Sequence, residues 1–141
     1  MIKKALLCVL LAALACPLSG CGIIGSLTTP APEPPQAVYR KITAEQARTM
    51  MEEGVPFILL DVRTGEEFSN ERIEGAILIP DFEIGDRVEA ELPDKDALIL
   101  VYCRSGRRSA NAVQAMAAMG YTNAYDFGGI LDWPFDTVGG Q

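Results

Sequence analysis

Cys103-Arg104-Ser105-Gly106-Arg107-Arg108-Ser109 sets one thiol directly ahead of six small or basic residues. A cysteine attacks as its thiolate, and an electropositive surrounding favours that form. Backbone N–H groups converging at a helix N-terminus supply such a surrounding and also hold anions. Three arginines in five residues add charge that draws anionic reactants toward the sulfur. Gly106 lets so short a loop turn and lets its backbone approach the thiol. The candidate chemistry is a nucleophilic sulfur held beside an anion. The bland alternative, a small buried hydrophobe at a strand end, fits poorly with the Arg-Ser-Gly-Arg-Arg run that follows, so Cys103 is read as catalytic.

The remaining composition narrows this. The chain of 141 residues has no histidine, which removes Cys-His and Ser-His catalysis and His-ligated metal sites. Activation of Cys103 is left to backbone dipoles and arginines. No cofactor and no metal are expected. The formal charge is −7, a balance ill suited to general nucleic-acid binding. The other cysteines, Cys8, Cys16 and Cys21, all lie in or at the end of an apolar N-terminal run, so a disulfide framework is excluded for a monomer, the expected state.

The elements that must position the loop follow from hydrophobic periodicity. Leu98 to Tyr102 is an apolar, partly β-branched run that reads as a buried strand ending at Cys103. Ser109 to Met119, with Ala112, Val113, Met116 and Ala117 on one stripe and Gly120 as its stop, reads as the longest helix. Upstream, 38–42 alternates as a short first strand. Thr43 with Gln46 is a capping box opening a helix that stops at Gly54. Strands are predicted at 57–62, 76–79 and 123–127. A short helix is expected after Thr64 and Glu67, and another over about 82–92. Glu66, Glu67 and the acids from Glu83 to Asp96 read as solvated helix faces. Apolar strands alternating with helices predict an α/β fold with a parallel sheet of about five strands and helices on both faces. Ligands of such sheets bind beyond the carboxyl ends of the strands, where Cys103 falls and where Asp61 ends the second strand.

The N-terminus reads as an address. Lys3 and Lys4 precede an apolar stretch from Ala5 to Ala15, too short to span a bilayer comfortably. It ends at Leu18-Ser19-Gly20-Cys21, which resembles a bacterial lipobox; the sequence before Cys16 fits that pattern less well. Residues 1–20 are expected to be a lipoprotein signal peptide and Cys21 the lipidated first residue. Acylation of that kind gives stable membrane anchoring. Removal of residues 1–20 would leave 10 basic against 19 acidic residues, a net of −9. Residues 21–37, with four prolines, read as an extended tether. The expected location is the cell envelope. Gly22 favours an outer membrane facing the periplasm if the organism has two membranes.

Residues 38–138 resemble a single rhodanese-like domain. The resemblance is carried by Leu60-Asp61-Val62-Arg63 with Glu66-Glu67-Phe68, by 73–80 (Ile-Glu-Gly-Ala-Ile-Leu-Ile-Pro), by the Cys103–Ser109 loop, and by Phe127-Gly128-Gly129-Ile130 with Trp133. Arg72 departs from it, standing where many relatives have histidine. The resemblance implies a sulfurtransferase. Cys103 would take a sulfane sulfur from a small anionic donor such as thiosulfate, become a persulfide, and pass the sulfur to a thiol or cyanide acceptor. Arg104, Ser105, Gly106, Arg107, Arg108 and Ser109 are the expected substrate-binding residues. Asp61 and Arg63 are expected to brace the loop from behind. Phosphatases of this fold use Cys-x5-Arg, whereas Cys103 to Arg108 is Cys-x4-Arg, with Ser109 in the later arginine's place; the shorter loop suits a sulfur atom better than a phosphoryl group. Two other readings are a tethered, non-catalytic binding or sulfur-carrier module and a thiol redox sensor.

Overall fold

The structure, a computed structural model, describes residues 38–140. The expected signal peptide, Cys21 and the whole tether to residue 37 lie outside them.

The elements in chain order are α1 (Ala44–Glu52), β1 (Phe57–Asp61), α2 (Gly65–Asn70), β2 (Ile77–Leu78), α3 (Ile84–Glu91), β3 (Leu98–Cys103), α4 (Arg107–Ala118) and β4 (Ala124–Gly129). Short 3₁₀ turns at Asp81–Glu83 and Ile130–Asp132 follow β2 and β4. The strands form one parallel sheet in the order β2-β1-β3-β4, and the pairing of β3 with β4 shifts register between Val101 and Cys103. Both helix starts with a side-chain signal use it. Thr43 and Gln46 close a reciprocal capping box on α1, and Thr64 and Glu67 do so on α2.

Strand parity decides which way the thiol points. Successive residues of a strand face opposite sides of the sheet. Ile99, Val101 and Cys103 pack with Val88, Ala112, Val113 and Met116 on the α3–α4 side. Leu100 and Tyr102 pack with Ala44, Ala47, Phe127 and Trp133 on the α1 side. Cys103 is therefore delivered beneath the first turn of α4, while Tyr102 points away from it. Helices on both faces of a parallel sheet match the expected fold class.

The sheet has four strands among the described residues where five were expected. The segment 38–42 contributes only an isolated parallel bridge, Lys41 to Asp126. Its two ladder bonds are Ile42 N–H to Asp126 O at 2.9 Å and Asp126 N–H to Arg40 O at 2.9 Å. The reason is local: Thr43 is committed to capping α1, so the chain leaves the edge of β4 before a strand can extend. A second correction concerns α4, which begins at Arg107 rather than Ser109. Gly106, at φ 95°, occupies its N-cap. Such a left-handed conformation strains any residue with a Cβ. Arg107 and Arg108 thus belong to the first helical turn and not to the loop.

Candidate active site

Cys103 is the last residue of β3, and its residue surface is only 1% exposed. The chain then makes a tight turn through Arg104 and Ser105 to Gly106. Because Gly106 has no side chain to cap α4, the N–H groups of that first turn are left for other partners. The Gly106 N–H points at the Cys103 sulfur, with nitrogen and Sγ 3.1 Å apart. Burial alone would raise the thiol's pKa. It is opposed by the nearby Ser109 hydroxyl and by the backbone N–H groups of Ser109, Gly106 and Ser105, and the net effect is a lowered pKa. This is the anion cradle that the loop's composition implies.

The six residues after Cys103 divide by what their side chains do. Arg104 and Arg107 are exposed, and neither side chain bonds to another described residue. Ser105 is exposed at the mouth. Ser109 is fully buried at the floor, its Oγ 3.5 Å from Sγ. Arg108 is not free. Its two terminal nitrogens donate to the two carboxylate oxygens of Glu67, each at 2.8 Å. This corrects the reading of Glu67 as a solvated residue. Its carboxylate both completes the α2 capping box through the Thr64 N–H and locks Arg108 beside the loop.

The Arg108 hydrogen bonds, with the Thr64 contacts, hold the Glu67 pKa down at about 2 against 4.5. A carboxylate whose folded pKa lies below its unfolded one stabilises the fold above the unfolded pKa. That stability is lost as pH falls through the folded value. Denaturant midpoints of the wild type should therefore fall between about pH 4.5 and 2 more steeply than those of Glu67→Gln.

Asp61 and Arg63 form a buried ion pair. Arg63 Nη2 lies 2.6 Å from Asp61 Oδ2, and the backbone N–H of Arg63 also donates to Oδ1 at 2.9 Å. Arg63 Nη2 donates in addition to the Glu71 carbonyl at 2.5 Å, and its guanidinium lies over the Tyr102 ring. The Tyr102 hydroxyl in turn accepts from the Ile73 N–H at 3.1 Å. The pair thus fastens the end of β1 to residues 71–73, and its hydrogen bonds do not reach the Cys103–Ser109 loop. The guanidinium is engaged with the Glu71 carbonyl and with Tyr102, which lies on the opposite face of β3 from Cys103.

Three contributors were not among the site residues expected from sequence. Asp126, in β4, is fully buried and accepts from the Ser109 hydroxyl at 2.6 Å. Tyr39 donates to the same carboxylate at 2.8 Å. A lone carboxylate between Tyr125 and Phe127 in a predicted strand was the available signal. Gly129 is the third. Its φ of −118° is ordinary, but a Cβ there would stand 2.2 Å from the Arg104 carbonyl oxygen and 2.6 Å from Ser105 Cα. Glycine is required there for space, because the Cys103 loop lies directly on it. Gly129→Ala must push the loop outward, and a displacement near 1 Å at a reacting group costs about a hundredfold in rate. Steady-state turnover with a sulfur donor should show that loss in a protein that still melts cooperatively.

Residues 43–134 match the family model for the rhodanese-like domain. The chain is 38% identical over 81 residues to the thiosulfate sulfurtransferase PspE of Escherichia coli, an alignment covering 57% of this chain and 78% of that one. It is 32% identical over 97 residues to a sulfurtransferase of Allochromatium vinosum, covering 68% and 89%. Among solved structures, a rhodanese with anions from E. coli superposes with a TM-score of 0.57 at 36% identity, covering 60% of this chain and all of that one. A strand-end cysteine under a short N–H-lined loop, on a four-stranded parallel sheet, with relatives of this kind, leaves one assignment: the chain belongs to the rhodanese-like domain family.

Proposed function

We propose that Cys103 carries a sulfane sulfur as a persulfide, taken from a small anionic donor of the thiosulfate type. At the coarser level the chain is a sulfurtransferase of the rhodanese type, as its family and relatives indicate. The observation supporting the finer reading is the Gly106 N–H directed at Sγ, with Arg104 and Arg107, which have no side-chain partner among the described residues, outside it.

In the first half-reaction the Cys103 thiolate attacks the outer sulfur of thiosulfate. An S–S bond forms to Cys103, the S–S bond of thiosulfate breaks, and sulfite leaves with the bonding pair. In the second, cyanide or a thiolate attacks the terminal sulfur, and Cys103 leaves as thiolate. Negative charge sits on sulfur throughout, and oriented N–H groups favour the anionic form. The exposed arginines bind the donor's sulfonate end.

Mass analysis after incubation with thiosulfate should find one added sulfur atom on Cys103. Its absence with every sulfane donor tried would sink the reading. Arg104→Gln and Arg107→Gln should each raise KM for thiosulfate by about tenfold, the loss of one charge-assisted hydrogen bond. Unchanged KM in both would remove the arginines from donor binding.

The location proposed for this activity is the cell envelope, with Cys21 acylated and residues 22–37 as spacer. The lipobox-like Leu18-Ser19-Gly20-Cys21 supports it. Fatty-acid labelling that persists in Cys21→Ala would contradict it.

A further inference from the structure

We propose that Asp126 is a positioning residue that draws the Ser109 hydroxyl proton away from Cys103 and so sets the acidity of the reacting thiol. The inference rests on Cys103 being the reacting group, but not on the identity of any sulfur donor.

The geometry turns on one proton. Ser109 Oγ has a single hydrogen and four acceptors within reach: Asp126 Oδ1 at 2.6 Å, Gly106 O at 3.1 Å, Gly128 O at 3.2 Å and Cys103 Sγ at 3.5 Å. The shortest contact is to the charged oxygen, and hydrogen bonds to ionised acceptors are the stronger ones. The resting proton therefore lies toward Asp126. Ser109 can turn it to sulfur only by giving up that bond. Asp126 is fully buried, and no salt bridge joins it to another described residue. Its remaining donors are the Tyr39 hydroxyl at 2.8 Å and the Gly128 N–H at 2.9 Å. The carboxylate also raises the Tyr39 hydroxyl's pKa to about 12, with burial the larger cause.

Asp126 acts on Cys103 in two ways of the same sign. It competes for the one side-chain donor the thiolate could use, and it places a negative charge two hydrogen bonds from the sulfur. Glu45, Lys41 and Asp132 line the cleft beside Ser105, Gly106 and Gly128. Arg108, bound to Glu67 and near Asp81, favours the thiolate from α4. Arg104 is exposed in the turn and Arg107 is exposed on the first turn of α4. Arg40 and Lys41 flank β4 on the edge segment, where their backbone pairs with Asp126. None of these cations bonds to the Asp126 carboxylate. A thiol held less acidic than its cradle alone would make it leaves a more basic, more nucleophilic sulfur once ionised.

Asp126→Asn tests this in the full chain. Thiolate absorbance is titrated and each variant is corrected by its own Cys103→Ser counterpart, which subtracts Cys8, Cys16 and Cys21. If Asp126 withholds the proton, Asp126→Asn lowers the Cys103 pKa by about one pH unit. The sign discriminates, because mere loosening of the loop weakens the N–H cradle and raises the pKa. An Asp126→Asn midpoint equal to or above the wild type would overturn the proposal. Tyr39→Phe provides a second arm at a half-buried position. Losing one of its donors, Asp126 should grip Ser109 harder and raise the Cys103 midpoint. A lowered or unmoved midpoint there would also count against it. The readout needs no sulfur donor, so it can fail while the persulfide reading stands, and the reverse.

Discussion

Cys103→Ser is expected to abolish sulfur transfer, by roughly a thousandfold or more, while the domain still folds. An alkoxide is inaccessible near neutral pH, and serine oxygen cannot form the S–S bond in which the sulfane atom is carried. No second thiol in the described residues can stand in, since Cys103 is the only cysteine among them. The substitution is nearly isosteric, and the N–H groups of Ser105, Gly106 and Ser109 can donate to a hydroxyl oxygen in place of the sulfur. The check is paired: thiosulfate-to-cyanide turnover, and thermal melting. Residual turnover within tenfold of the wild type would mean that the sulfur never rests on Cys103. Retention of the cellular role by the variant would favour the binding-module reading, since a tethered interaction unit needs the surface and not the thiol.

Arg63→Leu is expected to be the most destabilising single change, by about 3–5 kcal/mol. The Arg63 and Asp61 side chains are 4% and 0% exposed, so removing the guanidinium leaves a carboxylate inside the protein. The backbone N–H of Arg63 would still donate to it. The Glu71 carbonyl loses its partner at the same time, and the face of Tyr102 loses its cation. For a domain of this size each kcal/mol moves Tm by about 4–8 °C, so a fall of roughly 15 °C or more should appear in calorimetry. Replacing both partners by apolar residues should restore part of the loss, because breaking a buried pair costs more than deleting it. A double variant no better than Arg63→Leu would show that the cost lay in the Glu71 and Tyr102 contacts instead.

What could be read in advance is what sequence neighbours decide. The cysteine loop, the strand before it and both capping boxes depend on residues three to six apart, and each stands where the pattern placed it. The first strand and the start of α4 depended on competition between neighbours. Thr43 serves α1 better than it serves an edge strand, and Gly106 takes the left-handed N-cap that a loop reading leaves unassigned. The partners of the site were illegible for another reason. Glu67 and Arg108 are 41 residues apart, Ser109 and Asp126 are 17 apart, and Tyr39 and Asp126 are 87 apart. No local pattern pairs them. Only the stacking of β4 beside β3, with α2 across the strand ends, brings them together. Gly129 is the same case, since its side-chain-free space is set by a loop 25 residues earlier.

The alternation of β3 has one more consequence, for what change in length this chain can bear. Cys103 and Tyr102 occupy opposite sides of one strand, and each is served by its own neighbours: α4 and the N–H cradle for one, Phe127 and the Ile73 N–H for the other. Substitution within β3 trades one apolar side chain for another. Inserting or deleting a single residue between the strand's start and Cys103 does something different, because it exchanges the two sides. The thiol would then face the aromatic cluster, and the tyrosine would fill the cradle. The strand is thus a ruler with only one admissible parity, and a frame of six residues from Leu98 to Cys103 is as much a condition for chemistry as the cysteine itself.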